Sequence, residues 1–501
     1  MGYNPQQNRR QFMGKKKSVV LMVILSVIIA VLCAITVFPS FAVPGTVKIW
    51  NPAVMQYDLS TDLGGGYYAY YYPEGVISES EYNNSYADDE AKGKAEYQKI
   101  GNLYFSKNES LGILENGKLS EEFKTEFQAL AAEMDKRVSD LQYSSSRVSV
   151  VNGYSIKVEI PKSDVNYATT FEYLSYTGAM DLQVGGETID ALTEKDVTAK
   201  DLIDSFKVKT ESKIVFIDVK MTEKGKEAIA SIKDTLTSTS EASSGEAKTF
   251  DILIGENKIL SIYSDHVIQD NLLTVGLAYE EGVSAVKTLG AILNSTLKSG
   301  GFDIEFAEVS NEIREFKPVY GEEVLTLLYI AVLVVLVACI VLPIVFFGRY
   351  GIVNMYSTLS YLIVTGLCFA FISGGIFEVS LGTVAVFLLG LLLVNFLNAH
   401  IYNAIRKEFY NGKTAESAVK NGYNNTLFHV VDIYAVLLIG ALIFLSAIGG
   451  LFTVTLQAII CIVTGAFCNL LWSRAINYVF LSASADKHKY FRFVREDEDD
   501  E

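Results

Sequence analysis

The stretch VLTLLYIAVLVVLVACIVLPIVFF, Val324–Phe347, runs for 24 residues without a charged side chain. About 20 apolar residues are enough to carry a helix across the hydrocarbon core of a bilayer. Working outward, five further runs have the same character: Ser18–Phe38 before it, and Ile352–Ser373, Val379–His400, Leu427–Ile448 and Val454–Phe480 after it. Between the first run and the second lies a long segment, Gly45 to Glu323, that is polar, acidic and poor in proline. Half of the 501 residues are apolar and the mean hydropathy is +0.26, yet the net charge is −16. Those values coexist because apolar and charged residues are segregated along the chain. The expected fold class is a membrane α-helical bundle of six transmembrane helices, with a large α+β extracytoplasmic domain between the first and second helices. The expected divisions are a basic N-terminus over 1–17, a first span over 18–38, the inserted domain over 39–322, a five-helix membrane domain over 323–480 and a charged tail over 481–501.

Orientation follows from the loops, because cytoplasmic loops carry an excess of Lys and Arg. Arg9, Arg10, Lys15, Lys16 and Lys17 precede the first run. Arg349 follows the second, and a long loop after the fourth holds Arg406, Lys407, Lys413 and Lys420. The tail holds Lys487, Lys489, Arg492 and Arg495, and ends in the acidic run Glu496–Glu501, which reads as solvated. The opposite turns hold only Glu378 and the pair Gly449-Gly450. Every loop agrees with both termini cytoplasmic and the large domain on the far side. Ser40-Phe41-Ala42 resembles a leader cleavage site. The run before it exceeds the 7–15 residues of a signal core, so a retained anchor is expected.

Within the large segment, Ile156, Val158 and Ile160 alternate with polar residues up to Pro161 and read as a strand. Ile214–Val219 and Leu272–Ala278 read likewise, and Phe302–Phe306 alternates again. Phe250–Ile254 and Lys258–Ile262 flank Gly255-Glu256-Asn257, a hairpin signal. Thr222 caps a helix through Ile232, and Glu280–Lys298 is amphipathic up to Gly300-Gly301. Ser120–Leu141 carries Phe123, Phe127, Leu130 and Met134 on one face, a core-packing stripe. Asp62-Leu63-Gly64-Gly65-Gly66 leads into Tyr67, Tyr68, Tyr70, Tyr71 and Tyr72. Glycines there permit a sharp turn or a close backbone approach. The tyrosines suit either an aromatic-rich strand or contact with extended polypeptide. The glycines lack the Lys-Ser/Thr of a phosphate loop.

Ionisable groups inside spans are costly and so are candidates for function. Asp432 and Arg474 fall at similar depth on oppositely directed spans, which suggests an ion pair; separate snorkelling to the surface is the alternative. His429 shares a helix face with Asp432, a proton-relay pattern without the further ligands a metal needs. Asn395 and Asn398 share a face of the fourth span and suit hydrogen bonds between helices. Cys33, Cys339, Cys368, Cys461 and Cys468 all lie in apolar runs, so no disulfide framework is expected in the polar segment. No nucleophile with a base, catalytic carboxylate pair or zinc motif stands out, and no enzyme activity or cofactor is expected. The acidic balance argues against nucleic acid, whose phosphates demand clustered Lys and Arg.

Several of these stretches together resemble the SecD family of protein translocase accessory subunits. Ile405-Arg406-Lys407-Glu408-Phe409, Gly412-Lys413-Thr414, Ala418, Gly422-Tyr423 and Asp432 carry it best, with Ser473-Arg474-Ala475-Ile476, Arg349-Tyr350-Gly351 and the glycine motif at Asp62 in the family's order. The resemblance implies a SecF-like partner subunit, a SecYEG-type channel and contact with an emerging preprotein in a prokaryotic plasma membrane. It also implies use of the proton motive force. One departure bears on that last point. Asn395 or Phe396 stands where the family has an aspartate late in the fourth span, and neither exchanges a proton near neutral pH. Because the family is similar to RND permeases, a proton-coupled small-molecule exporter component is an alternative, as is a non-transporting assembly factor.

Overall fold

The computed structural model describes residues 15–37, 41–42, 49–50, 53, 57–140, 145–162, 167–193, 197–211, 214–240, 247–266, 272–279, 283–299, 301, 304–307, 312–372, 378–447 and 452–484. The N-terminal arginines, Phe38, Gly300, Phe302, the Gly449-Gly450 turn and the charged tail beyond 484 lie outside them. The chain divides into two compact units, Met1–Leu63 with Val319–Glu501, and Gly64–Pro318.

Among the described residues, the first unit holds six helices long and apolar enough to cross a membrane. The spans are Lys15–Val37, Val324–Phe347, Arg349–Ile372, Leu381–Tyr410, Ala415–Ala447 and, for the sixth, Phe452–Phe467 continued by Ser473–Ala483. A π-helical turn, Cys468–Trp472, joins the two pieces of the sixth span. The expected long loop after the fourth span is mostly helix. The fourth span continues ten residues past His400, and the fifth begins at Ala415. The reason is packing: Ile401, Tyr402, Ile405 and Phe409 keep the helical period after the uniformly apolar run has ended, and all four are buried. Gly422 of the fifth span faces the backbone of Ile405, where a Cβ would stand 2.8 Å from its Cα and N. Side chains on the second span such as Leu333 and Val334 remain exposed, as suits a surface solvated by lipid.

The second unit is α+β and contains 43 acidic residues against 26 basic ones. Its first main sheet has the antiparallel order β11-β1-β3-β2, formed by β1 (Gly66–Tyr71), β2 (Arg147–Val151), β3 (Ser155–Pro161) and β11 (Arg314–Phe316). A second sheet has the order β5-β4-β8-β9, from β4 (Met180–Val184), β5 (Glu187–Thr188), β8 (Phe250–Ile254) and β9 (Asn257–Ile262). A third has the order β6-β7-β10, from β6 (Ile203–Glu211), β7 (Ile214–Met221) and β10 (Leu272–Tyr279). The longer helices among the described residues are α1 (Glu121–Asp140), α2 (Tyr167–Leu174), α3 (Glu223–Ile232) and α4 (Val283–Ser299). The side-chain period of two explains β3 against β1. Ile156 and Val158 pair with Tyr71 and Ala69 on the buried face, while Lys157 and Glu159 pair with Tyr70 and Tyr68 on the other. Thr222 caps α3 by accepting from Gly225 N at 3.1 Å. The stripe on α1 is buried throughout.

Phe302–Phe306 does not extend into a strand among its described residues. Phe306 makes an isolated bridge to Pro73, and its ring packs 5.1 Å from that of Tyr71. Arg137 on α1 is fully buried. Its guanidinium donates to Tyr176 O at 2.6 Å and to Thr296 Oγ1 on α4 at 2.9 Å, bracing α1 against the chain after α2 and against α4. Burial pushes its pKa down to about 10, so it remains a cation at neutral pH.

Candidate functional site

Polar side chains recur in hydrogen-bonded groups inside the membrane unit. Asn354 of the third span, Asn395 and Asn398 of the fourth, Tyr434 of the fifth and Asn469 in the π-turn of the sixth form one chain of hydrogen bonds. The Tyr434 hydroxyl donates to Asn469 Oδ1. Asn469 Nδ2 donates to Asn398 Oδ1 and to Val394 O, both at 2.9 Å. Asn398 Nδ2 donates to Asn354 Oδ1 at 3.0 Å, and Asn354 Nδ2 to Asn395 Oδ1 at 2.5 Å. Thr358 Oγ1 also donates to Asn395 Oδ1, and Asn395 Nδ2 closes the chain on Leu391 O. Asn354, Asn398 and Asn469 are at most 1% exposed.

Each carbonyl in this chain accepts from the preceding group and each amide donates to the next, so successive bonds polarise one another. In hydrocarbon an unmatched amide would cost several kcal/mol. The chemistry is amide and hydroxyl alone. No member exchanges a proton near neutral pH. Asn395 joins the cluster, whereas Phe396 is 68% exposed.

A second group ties the fourth, fifth and sixth spans. The hydroxyls of Tyr402 and Tyr423 both meet Ser473 Oγ, at 3.3 and 2.9 Å, and Asn477 Nδ2 donates to Tyr423 Oη at 2.7 Å. Arg474 lies over the rings of Tyr423 and Tyr478 and donates to Asn424 Oδ1 at 3.4 Å. It does not pair with Asp432, which is exposed on the fifth span. Counting from the ends of the spans set the two at equal depth, but Arg474 meets Tyr423 and Asn424, which precede Asp432 on the fifth span by at least eight residues, about 12 Å along a helix axis. His429 is exposed beside Asp432, and its ring lies 6.2 Å from that of His400 on the fourth span. Among the described residues no group of three His, Cys, Asp or Glu is placed to hold a metal.

The third group contains the aspartate of the glycine motif. Asp62 Oδ2 accepts from Leu381 N, at the first turn of the fourth span, at 2.9 Å, and Ser60 Oγ donates to the same carboxylate. A carboxylate suits the positive end of a helix dipole. Val379 N donates to Asp58 O and Ser60 N to Val379 O, fixing the segment in register. Thr383 Oγ1 then meets Gln457 Oε1, whose amide donates to Glu378 O at 3.0 Å. Leu63 is buried, and Gly64 ends the short helix Thr61–Gly64. The other glycines serve the large domain. Gly65 has φ of +72°, and a Cβ on Gly66 would stand 2.2 Å from Ile160 O.

Sequence reasoning named Asn395 and Asn398 but passed over Asn354, Asn469, Tyr434, Gln457 and Thr383. The signal was available: an amide in an apolar run carries nearly the desolvation cost that drew attention to the charges. What the sequence lacks is which of them meet.

No family model and no curated protein sequence matches this chain. Among solved structures, SecDF in a super-membrane-facing form is similar at a TM-score of 0.54 and 14% identity, covering 94% of this chain and 58% of that one. SecDF from Thermus thermophilus, described as a translocon-associated membrane protein, aligns at a TM-score of 0.40 and 16% identity over 92% of this chain and 58% of its own. The first likeness establishes that this chain has the SecDF fold, over little more than half of the SecDF length.

Proposed function

We propose that this chain is a SecD-type accessory subunit of the Sec protein translocase. It sits in a prokaryotic plasma membrane with both termini in the cytoplasm and Gly64–Pro318 on the far side, where it assists export of preproteins. The observation that carries this reading is the correspondence of fold over 94% of the chain, inserted domain and six spans together. The distribution of Arg and Lys among the loops supports the orientation. The chain spans 58% of the SecDF structure it matches, and a SecF-like subunit enters this reading from the resemblance to SecD. The partners on this reading are that subunit, a SecYEG-type channel and the emerging preprotein.

The amide cluster bears on energy use. A proton path through mid-bundle needs a group that titrates, and the five-residue chain from Tyr434 to Asn395 has none in the neutral range. Proton use then falls to groups outside it: Asp432 and His429 of this chain, and those of the second subunit. In this scheme the inserted domain favours outward movement by holding the emerging chain, and the bundle supplies a fixed frame.

The test is co-purification of the tagged chain in mild detergent, with mass spectrometry of what accompanies it. Recovery of a SecF-like subunit and the translocation channel is expected. Reproducible recovery of an adaptor or outer-membrane exporter component in their place overturns the proposal.

A further inference from the structure

The sheet face of β1 turned away from the core carries Tyr68 and Tyr70, and Tyr72 continues the row just past its end. All three are half-buried. Their ring centroids are 5.7 Å apart from Tyr68 to Tyr70 and 6.2 Å from Tyr70 to Tyr72. Lys157 holds Tyr68 from the neighbouring strand, with Nζ 4.6 Å from the ring centroid, and is itself paired with Glu159. Phe316 tilts against Tyr68 from the other side at 6.2 Å. The row is therefore fixed on a sheet and flanked by rings and ion pairs. At the Tyr72 end it opens into a cavity of about 360 Å³, lined by Tyr70, Tyr72, Tyr154, Asn102 and the paired Glu312 and Arg314.

Side chains on one face of an extended chain repeat every 6.6–6.8 Å or so. That is close to the spacing of the rings, so a strand laid along β1 sets alternate side chains on successive tyrosines. Tyrosine rings on a rigid support offer contact area at small entropic cost, and their hydroxyls meet backbone amides. The unit that bears the row has 43 acidic residues against 26 basic ones, a field that draws cationic chains. We propose that the Tyr68–Tyr70–Tyr72 face and its adjoining cavity form a binding ledge for extended, net-basic polypeptide with apolar residues at alternate positions. This rests on the translocase reading for its biological substrate, but the contact itself does not depend on the channel.

The experiment uses the full chain in lipid nanodiscs and a short fluorescent peptide that alternates leucine with serine and lysine. The comparison peptide has the same composition with its leucines grouped together. Fluorescence anisotropy should show tighter binding of the alternating peptide, weakening as salt rises. The double variant Tyr68→Ser with Tyr70→Ser should lose about tenfold in affinity, and Tyr70→Phe should retain most of it. Hydrogen exchange across β3 checks that the double variant keeps its sheet. Unchanged affinity in a folded double variant overturns the proposal, as does equal binding of the two peptides. Protection of these tyrosines only by a co-expressed partner subunit, without peptide binding, overturns it too and marks the face as a subunit contact. Co-purification of the channel is scored separately. A double variant that keeps the channel and loses the peptide supports the ledge, while peptide binding without any channel association leaves the ledge standing and removes the translocase reading.

Discussion

Phe171 and Asn398 are both fully buried, and they stand for two ways of building an interior. In Gly64–Pro318, where Phe171 lies, the enclosed side chains are mostly Ile, Val, Leu and Phe, and polar groups mostly face outward. Around Asn398, in the membrane unit, the enclosed side chains include a row of asparagines, while Leu, Val and Phe cover the outside. In water, leaving solvent is itself the driving force for apolar side chains. In a bilayer an apolar side chain gains little by moving from lipid to protein, so hydrogen bonds and close packing decide which helix faces meet. The asparagine chain is thus a device for choosing one arrangement of the third to sixth spans.

The comparison can be broken by substitution. Phe171→Ala removes an enclosed ring and should destabilise the inserted domain by about 3–5 kcal/mol, read by hydrogen exchange resolved to its own peptides. Gly66→Ala places a methyl against Ile160 O, a backbone atom that cannot step aside. It should cost about 2–3 kcal/mol in the same assay. Asn398→Ala should cost the bundle only about 1–2 kcal/mol, measured by unfolding in mixed micelles, because helices separated in a membrane still find partners for their amides. A cost for Asn398→Ala as large as that for Phe171→Ala would reverse the contrast. Asp432→Asn, on an exposed face, should change bundle stability by less than about 0.5 kcal/mol. On the proposed function, it should instead lower the proton-dependent part of export in proteoliposomes, which sharpens the distinction between frame and titratable surface.

The contrast also explains what could be read in advance. The spans announce themselves by length and composition, and the alternation in Ile156–Ile160 predicts which face of β3 is buried. Thr222 as a cap and the hairpin around Gly255 depend on neighbours in sequence, and both are present. The fourth span's continuation to Tyr410 was missed because an apolar count stops where Lys and Arg begin, while helical packing through Ile405 and Phe409 does not. The polar cluster was half visible. Asn395 and Asn398 sit three apart on one helix, but their links to Asn354 and Asn469 depend on how three helices are turned about their axes. The π-turn before Ser473 changes that turn locally and leaves no mark in the hydropathy. Arg474 and Asp432 were separated by something else, the offset of the fifth and sixth spans along their axes, which sets Arg474 beside Asn424.

Strand β11 pairs with β1 so that Phe316 stands opposite Gly66. The chain therefore enters and leaves the α+β unit at neighbouring points, about 5 Å apart as partners in an antiparallel pair are. A folded body with ends so close can be spliced into a short loop at little cost in loop closure, since its anchor points ask no more of the host than a hairpin would. In genetic terms the segment has the form of a cassette. It can be gained, lost or exchanged as one insertion, leaving the reading frame of the helices before and after it intact.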